Sequence, residues 1–234
     1  MASKTRMLER VRKLDWRWIR EALAESPELM AFRDERGRNW LHLACMVNTA
    51  ERELKPADQI KTAKILLDAG FGLDDAAFTE GRSWKATPVW HAVARARSHG
   101  LVKFLLERGA DPNYSLFAAD DTKMIRLLVR HGAIVDDPSI ENETPFLGAV
   151  QWSRFDKAKV LLELGADVDT TDEKGRTALH LMLKKGSDKK HLRMLMKYGP
   201  RGDLPDATGR TAIDILSRKR DPELRKMAER LARS

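Results

Sequence analysis

The sequence predicts an all-α array of stacked helical repeats, because two phrases recur along it at nearly constant spacing. The first is a run of apolar residues followed by a short polar stretch and a glycine. It occupies residues 65–70, 104–109, 127–132, 160–165 and 194–199, with the glycines 39, 23, 33 and 34 residues apart. Such a period is typical of proteins in which each unit buries its apolar face only against its neighbours.

The second phrase marks the start of a helix in each unit. Thr or Asn can cap a helix by accepting a hydrogen bond from a backbone N–H, and Pro suits the first helical position. The phrases begin at Asn39, Thr87, Thr144, Thr177 and Thr211, and Pro follows two of these threonines. Residues 34–37, 172–175 and 206–209 precede three of them as tight turns ending in glycine. Each unit is therefore predicted to contain a turn, a helix, a short bend and a second helix.

These residues resemble the ankyrin repeat, whose turn, Thr-Pro-Leu-His-like helix start and Gly-Ala-Asp ending all recur here. The resemblance covers residues 34–234 and implies an all-α ankyrin-repeat solenoid of helix-turn-helix units with short turn hairpins, one truncated repeat and helical caps. Residues 1–33 are predicted to form an N-terminal helical capping unit. The repeats are predicted at 34–75, 76–113, 114–136, 137–171, 172–205 and 206–234, the last with a C-terminal cap.

Three departures from the repeat pattern need explanation. The first repeat carries about ten extra residues within 46–58, which predict either an extended first helix or a protruding loop. In the second repeat, a longer segment that contains Trp84 replaces the usual glycine turn. The third repeat, 114–136, is too short to hold the turn, and we expect a shortened first helix there.

Both ends of the array are predicted to be helical caps. Trp16, Ile19 and Leu23 have helical spacing and would cover the open end of the first repeat. At the other end, Leu224 and Met227 begin an apolar stripe within residues 223–233. We interpret that helix as a cap, and a free basic amphipathic helix on a membrane is the alternative.

Charge is unevenly distributed. The net charge is +8, and residues 184–234 carry 15 Lys and Arg against 7 Asp and Glu, which accounts for all of it. Solvated faces of the terminal units would explain this excess, and so would an acidic partner bound at that end. The chain has no apolar run near the roughly 18 residues of a membrane span. With no apolar secretory segment and the single cysteine Cys45, we expect a cytoplasmic protein, and translocation as an effector is the alternative.

No catalytic or metal-binding pattern is present in the sequence. The six histidines match no recognised zinc spacing, and His42 and His180 occupy the histidine slot of the repeat, where the resemblance implies a structural role. The paired carboxylates at 74–75, 120–121 and 136–137 fall at bends, where Asp forms caps and turns. Cys45 is predicted to be buried. We therefore expect no enzyme activity, no metal and no cofactor.

The resemblance implies that a partner binds at the turn tips and on the concave face of the first helices. Its variable positions correspond here to the residue before each Thr or Asn and to two residues near the end of each first helix. Trp is enriched among the residues that dominate binding energy, which singles out Trp84 and Trp152, although either could instead pack against the adjacent repeat. The predicted partner-binding residues are Met46, Val47, Trp84, Arg95, Gln151, Trp152, Arg176, Lys184 and Lys185.

The predicted function is that of a non-catalytic scaffold or adaptor for protein–protein interaction. We expect a monomer that binds a protein partner, acidic in character, with no small-molecule substrate, no nucleic acid and no membrane. The alternative is binding of nucleic acid or an acidic ligand through the basic C-terminal end. Steep loss of affinity with salt would favour that alternative.

Overall fold

The computed structural model describes residues 3–78, 85–138 and 143–233, and these form two compact units. The first comprises Met1–Ala119 with Arg126–Ala133, and the second comprises Asp120–Ile125 with Ile134–Ser234. Trp84 lies outside the described residues.

The first unit contains pairs of short helices. They are α1 Lys4–Arg12, α2 Trp16–Glu25, α3 Trp40–Cys45, α4 Pro56–Asp68, α5 Pro88–His91, α6 His99–Leu106 and α7 Ser115–Ala118. A 3-10 turn spans Pro27–Ala31, and a π-helical turn, Ala92–Ala96, extends α5. Helix α3 packs on α4 within its repeat and on α5 of the next, while α4 packs on α6. First helices therefore stack on first helices and second helices on second helices, as the repeat period predicts.

The second unit repeats this arrangement. Its helices are α9 Pro145–Gln151, α10 Phe155–Glu163, α11 Ala178–Lys185, α12 Lys189–Leu195, α13 Ala212–Ser217 and α14 Pro222–Leu231, with a 3-10 turn at Met196–Tyr198. Helix α9 packs on α10 and α11, α11 packs on α13, and α14 packs on α13. The residues of α8, Thr122–Arg130, divide between the two units.

The predicted N-cap residues lie at the starts of these helices. The side chains of Asn39, Thr144 and Thr211 accept hydrogen bonds from backbone N–H groups three residues ahead, at 3.1, 3.2 and 3.1 Å. Such a cap typically contributes about 1 kcal/mol. At the helix ends, Gly109 and Gly165 have φ of 89° and 94°, a conformation that glycine adopts without a Cβ clash. The two recurring phrases are thus the two ends of helices.

The extra residues of the first repeat form a loop. Because α3 ends at Cys45 and α4 begins at Pro56, residues 46–55 lie between them, and the alternative of an extended first helix is wrong. The amide of the buried Gln59 fixes the loop by donating to the carbonyl oxygens of Val47, at 2.6 Å, and Ala44, at 3.2 Å.

The second and third repeats also depart from the repeat pattern in the structure. The first helix of the third repeat, α7, is only four residues long, which confirms the predicted shortening. In the second repeat, strands β1 (Ala77–Phe78) and β2 (Lys85–Ala86) pair antiparallel, with Ala77 opposite Ala86.

Both predicted caps are helical. Helix α2 contains Trp16, whose indole Nε1 donates to the carboxylate of Asp58 on α4 at 3.2 Å. The Trp40 indole is fully buried, stacks on Phe32 and donates to the Leu29 carbonyl at 2.8 Å, which joins the cap to the first repeat. Within the described part of the chain, none of the helices has both the length and the apolar composition that crossing a membrane requires.

Candidate functional site

Trp152 is the most exposed large apolar side chain among the described residues, at 72% relative exposure. It is the C-terminal cap of α9, and its backbone N–H donates to the Gly148 carbonyl at 3.0 Å. The next residue, Ser153, has a φ of 57°, so the chain turns sharply away from the helix axis. The indole therefore stands in solvent at the end of a well-packed helix.

A hollow of about 360 Å³ lies beside Trp152, between the ends of α9 and α11. Five of the nine predicted partner-binding residues line it, together with Leu181, which sequence reasoning missed. The lining consists of Gln151, Trp152, Arg176, Leu181, Lys184 and Lys185. Leu181 belongs to the buried apolar face of α11, so nothing in the sequence distinguished it from ordinary core residues.

Lys185 connects the two helix ends, because its ammonium group donates to the carbonyl oxygen of Gln151. The last carbonyl groups of a helix lack partners within the helix, and a lysine near them also interacts favourably with the helix dipole. Lys184 differs from Lys185. It is exposed, and its ammonium group makes no hydrogen bond or ion pair with any described residue.

Arg176 enters the hollow from the turn that precedes α11. Its Nε donates to the carboxylate of Asp172 at 2.7 Å, and that carboxylate also accepts from the backbone N–H groups of Arg176 and Lys174. Burial raises the pKa of Asp172, but these hydrogen bonds outweigh burial and hold it below its usual value. The guanidinium group is therefore fixed in position, with its charge partly balanced by Asp172.

The hollow thus combines one exposed aromatic ring with three cationic side chains. Asp172 offsets Arg176, which leaves the two lysines as the main positive charges. An apolar ring beside fixed positive charge suits a ligand with an apolar group and carboxylates.

Family models match two parts of the chain. One described as "Ankyrin repeats (many copies)" matches residues 148–195, which contain every residue that lines the hollow. Another, described as "Ankyrin repeat", matches residues 84–115. The chain therefore contains ankyrin repeats. Ankyrin repeats generally mediate protein–protein interaction, and domains of this family are typically non-catalytic.

Curated relatives match part of the chain. Human inversin is 41% identical over 68 residues, 29% of this chain and 6% of inversin. The transcription factor TOXE of Cochliobolus carbonum is 37% identical over 65 residues, 28% of this chain and 14% of TOXE. These alignments therefore span only a small part of each relative.

Solved structures confirm the predicted all-α ankyrin-repeat solenoid as the fold class. The ankyrin repeat domain of human ASB11 superposes with a TM-score of 0.70 at 22% identity, covering 97% of this chain and 98% of that one. The ankyrin repeat domain of Bcl-3 gives a TM-score of 0.75 at 19% identity, covering all of both chains.

Three of the remaining predicted contact residues, Met46, Val47 and Arg95, belong to the first unit. Met46 is half-buried, and its sulfur accepts from a guanidinium nitrogen of Arg38 at 3.3 Å. Arg95 is exposed on the π-helical turn. Val47 is only 4% exposed, because its carbonyl oxygen accepts from the buried Gln59 amide and this part of the loop is held against α4, so almost none of its side chain reaches the surface. Trp84 is beyond the described residues.

The histidines of the ankyrin pattern are structural, as predicted. His42 contacts the Asn39 cap through Nδ1, and its Nε2 lies 2.8 Å from the carbonyl oxygen of Asp75 in the following turn. His180 has the corresponding contacts with Thr177 and Arg210.

The paired carboxylates also have structural partners. Asp74 accepts from the backbone N–H of Asp111, and Asp136 from that of Asp167, both at 2.9 Å. Each of these bonds links one repeat turn to the next. In the pair at 120–121, Asp121 caps α8 by accepting a hydrogen bond from the Met124 N–H at 3.0 Å.

Two further expectations concern reactive groups. Cys45 is fully buried, and burial raises the pKa of its thiol, so the thiolate needed for nucleophilic chemistry is disfavoured. Among the described residues, no group of three or more His, Cys, Asp and Glu side chains is arranged to hold a metal ion.

Proposed function

We propose that this ankyrin repeat protein is a non-catalytic adaptor that binds an acidic segment of a protein partner at the hollow around Trp152. The observation that carries the proposal is the exposed indole of Trp152 beside the cationic side chains of Arg176, Lys184 and Lys185. Covering this ring with a partner would remove apolar surface from water and so favour binding.

The physical basis of recognition differs among these residues. The indole would supply most of the apolar contact area, as Trp does at many binding hot spots. Lys184 is free to pair with a carboxylate, whereas Lys185 and Arg176 are held by Gln151 and Asp172. Groups that are already fixed lose less conformational entropy when a partner binds.

The proposal includes the organisation expected from the sequence. Residues 1–33 would cap an array of repeats over residues 34–234, acting as a cofactor-free monomer in the cytoplasm. Met46 and Arg95 of the first unit would provide additional contacts. Trp84 remains a candidate contact from the sequence alone.

Two single variants and two matched controls test the site by affinity capture from lysate. Trp152→Ala removes the indole, and Ile134→Ala removes another exposed apolar side chain. Lys184→Glu reverses a charge in the hollow, and Lys190→Glu reverses an exposed charge outside it. Trp152→Ala and Lys184→Glu should fail to capture the proteins that wild type binds. Ile134→Ala and Lys190→Glu should still capture them.

A captured protein should then be purified and titrated directly. We expect Trp152→Ala to weaken its binding by about 2 kcal/mol, the loss typical of a hot-spot Trp. High salt should weaken the wild-type complex and have less effect on the Lys184→Glu complex. If all four variants captured the same proteins with equal affinity, the hollow would not be the binding site.

A further inference from the structure

A second hollow, separate from the one around Trp152, lies between α12 and α14 at the C-terminal end. Its volume is about 570 Å³. We call it the C-terminal groove and define it by six residues: Met196 and Met227 on its floor, and Lys197, Lys226, Arg230 and Arg233 on its rim.

We propose that the C-terminal groove binds an acidic amphipathic helix of a protein partner. This goes beyond the function proposed for the Trp152 hollow, because it assigns a different surface and a partner of defined secondary structure.

Ion pairs fix one end of the groove. Lys189 contacts Asp221 at 2.7 Å and Glu223 at 3.3 Å, and Arg193 contacts Glu223 at 2.7 Å. These contacts hold the start of α14 against α12. They also neutralise Glu223, the carboxylate that would otherwise offset the positive rim.

The four cations on the rim are available to a partner. All are exposed, and within the described ranges none of them forms an ion pair. Two carboxylates, Glu223 and Glu229, also line the hollow, and because Glu223 is paired with Lys189 and Arg193, the rim keeps a clear positive excess. Lys226 and Arg230 lie four residues apart on α14, which places them in one row along that helix, and Arg233 follows two residues after the helix ends.

The floor of the groove is apolar and adaptable. Met196 and Met227 are 8% and 9% exposed, so the surface they present lies at the bottom of the hollow. Methionine has an unbranched, polarisable side chain that repacks readily around different partners. A helix with an apolar stripe between rows of acidic residues complements this floor and rim in both polarity and charge.

Two other occupants fit the groove less well. A membrane would need a broad apolar face on α14, but Ala228 and Leu231 are buried against the protein and α14 packs on α13. Nucleic acid would use the cations but gain little from a methionine floor, since affinity for its backbone is mainly electrostatic.

Fluorescence anisotropy with a labelled synthetic peptide tests the proposal. The peptide carries leucines at i, i+3, i+4 and i+7 with glutamates at the other positions. A second peptide of identical composition distributes the leucines around the helix. Wild type should bind the amphipathic peptide at least about ten-fold more tightly than the redistributed one, because only the first presents an apolar stripe to the floor.

Three variants locate the binding surface. Lys226→Glu/Arg230→Glu should weaken binding of the amphipathic peptide by about ten-fold or more. Lys219→Glu/Arg220→Glu makes the same change in net charge outside the groove and should weaken it less than about two-fold. Trp152→Ala should leave peptide binding unchanged, which separates this test from that of the Trp152 hollow. Circular dichroism verifies that each variant is folded, and Lys226→Gln/Arg230→Gln replaces the first variant if it is not.

Several results would overturn the proposal. One is equal affinity for the two peptides, and another is an equal loss from the two charge-reversal variants. A third is stronger binding to vesicles containing phosphatidylserine, or to a single-stranded oligonucleotide, than to the amphipathic peptide. None of these results would affect the function proposed for Trp152.

Discussion

The Nε2 atom of His180 lies 3.0 Å from the carbonyl oxygen of Arg210, thirty residues further along the chain. The Nδ1 atom of the same ring lies 2.9 Å from the hydroxyl of Thr177, the cap of α11. One buried imidazole therefore joins the start of a helix to the turn of the next repeat.

Replacing His180 by Ala should lower the free energy of unfolding by about 2 kcal/mol, because the buried hydroxyl of Thr177 and the partly buried carbonyl of Arg210 would lose a partner. His131→Ala, at an exposed histidine, should change it by less than about 0.5 kcal/mol. Urea unfolding of both variants measures the difference. Equal midpoints would contradict the structural role of His180.

His91 should make stability depend on pH. Burial lowers its pKa to about 3, with further lowering by His42, Arg38 and Arg95, and neither ring nitrogen has a hydrogen-bond partner among the described residues. In the unfolded chain the pKa is about 6.5, so the unfolded state binds the proton more tightly. Wild type should therefore lose stability as pH falls from 6.5 towards 3, by up to about 1.4 kcal/mol per pH unit from this group.

The comparison with His91→Leu isolates that contribution. Carboxylates titrate in both proteins. Their contributions therefore cancel when the free energy of unfolding of wild type is subtracted from that of the variant. The advantage of the variant should grow as pH falls from 7.5 to 4.5. A difference that did not change with pH would show that His91 is protonated equally in both states.

Lys157 should destabilise the protein at neutral pH. It is buried on α10, and burial lowers its pKa to about 8 despite the opposing effect of the Asp120 carboxylate. Both folded and unfolded chains carry the charge below pH 8, so the full cost of burying it, at most about 3 kcal/mol, applies there. Lys157→Met should raise Tm at pH 7, and the gain should shrink between pH 8 and 10.5. Calorimetry across this range would contradict the prediction if the gain stayed constant.

Gly202 should not tolerate a side chain. A Cβ atom there would lie 2.8 Å from Cβ of Leu231 and 2.9 Å from Cγ1 of Ile213, so α14 or α13 would have to move. Gly202→Ala should therefore cost about 1–3 kcal/mol. Gly100→Ala is the matched control in α6, where the nearest atom is at 3.7 Å, and there Ala should stabilise by about 0.5–1 kcal/mol. Opposite shifts in Tm are expected, and shifts of the same sign would argue against close packing at Gly202.

Trp152→Ala should leave stability within about 0.5 kcal/mol of wild type, because the ring is mostly in solvent. Trp40→Ala, at a fully buried ring, should cost about 3–5 kcal/mol. Chemical unfolding of both variants separates surface from core. A large loss for Trp152→Ala would mean that the ring supports the fold, and its loss of binding would then need another explanation.

The parts of the fold that could be predicted are those in which a local preference and the repeat period agree. Asn39 and Thr144 cap helices because their side chains reach a backbone N–H three residues ahead, and Gly165 closes a helix because it tolerates positive φ. The burial of individual side chains could not be predicted from the repeat pattern in the same way. Met46 and Val47 are neighbours with similar polarity, and only the turn after α3 makes one half-buried and the other buried.

By itself, the sequence determined the repeat, the helix ends, the excess of positive charge at the C-terminal end and the residues around Trp152. These depend on contacts within a few residues or on a pattern that recurs. Only the tertiary structure decided which side chains are held and which are free. Arg176 is fixed by Asp172 and Lys185 by Gln151, whereas Lys184 remains open to a partner. The tertiary structure also brings Met196 and Met227 together on the floor of the C-terminal groove, because helix packing joins residues that are far apart in sequence.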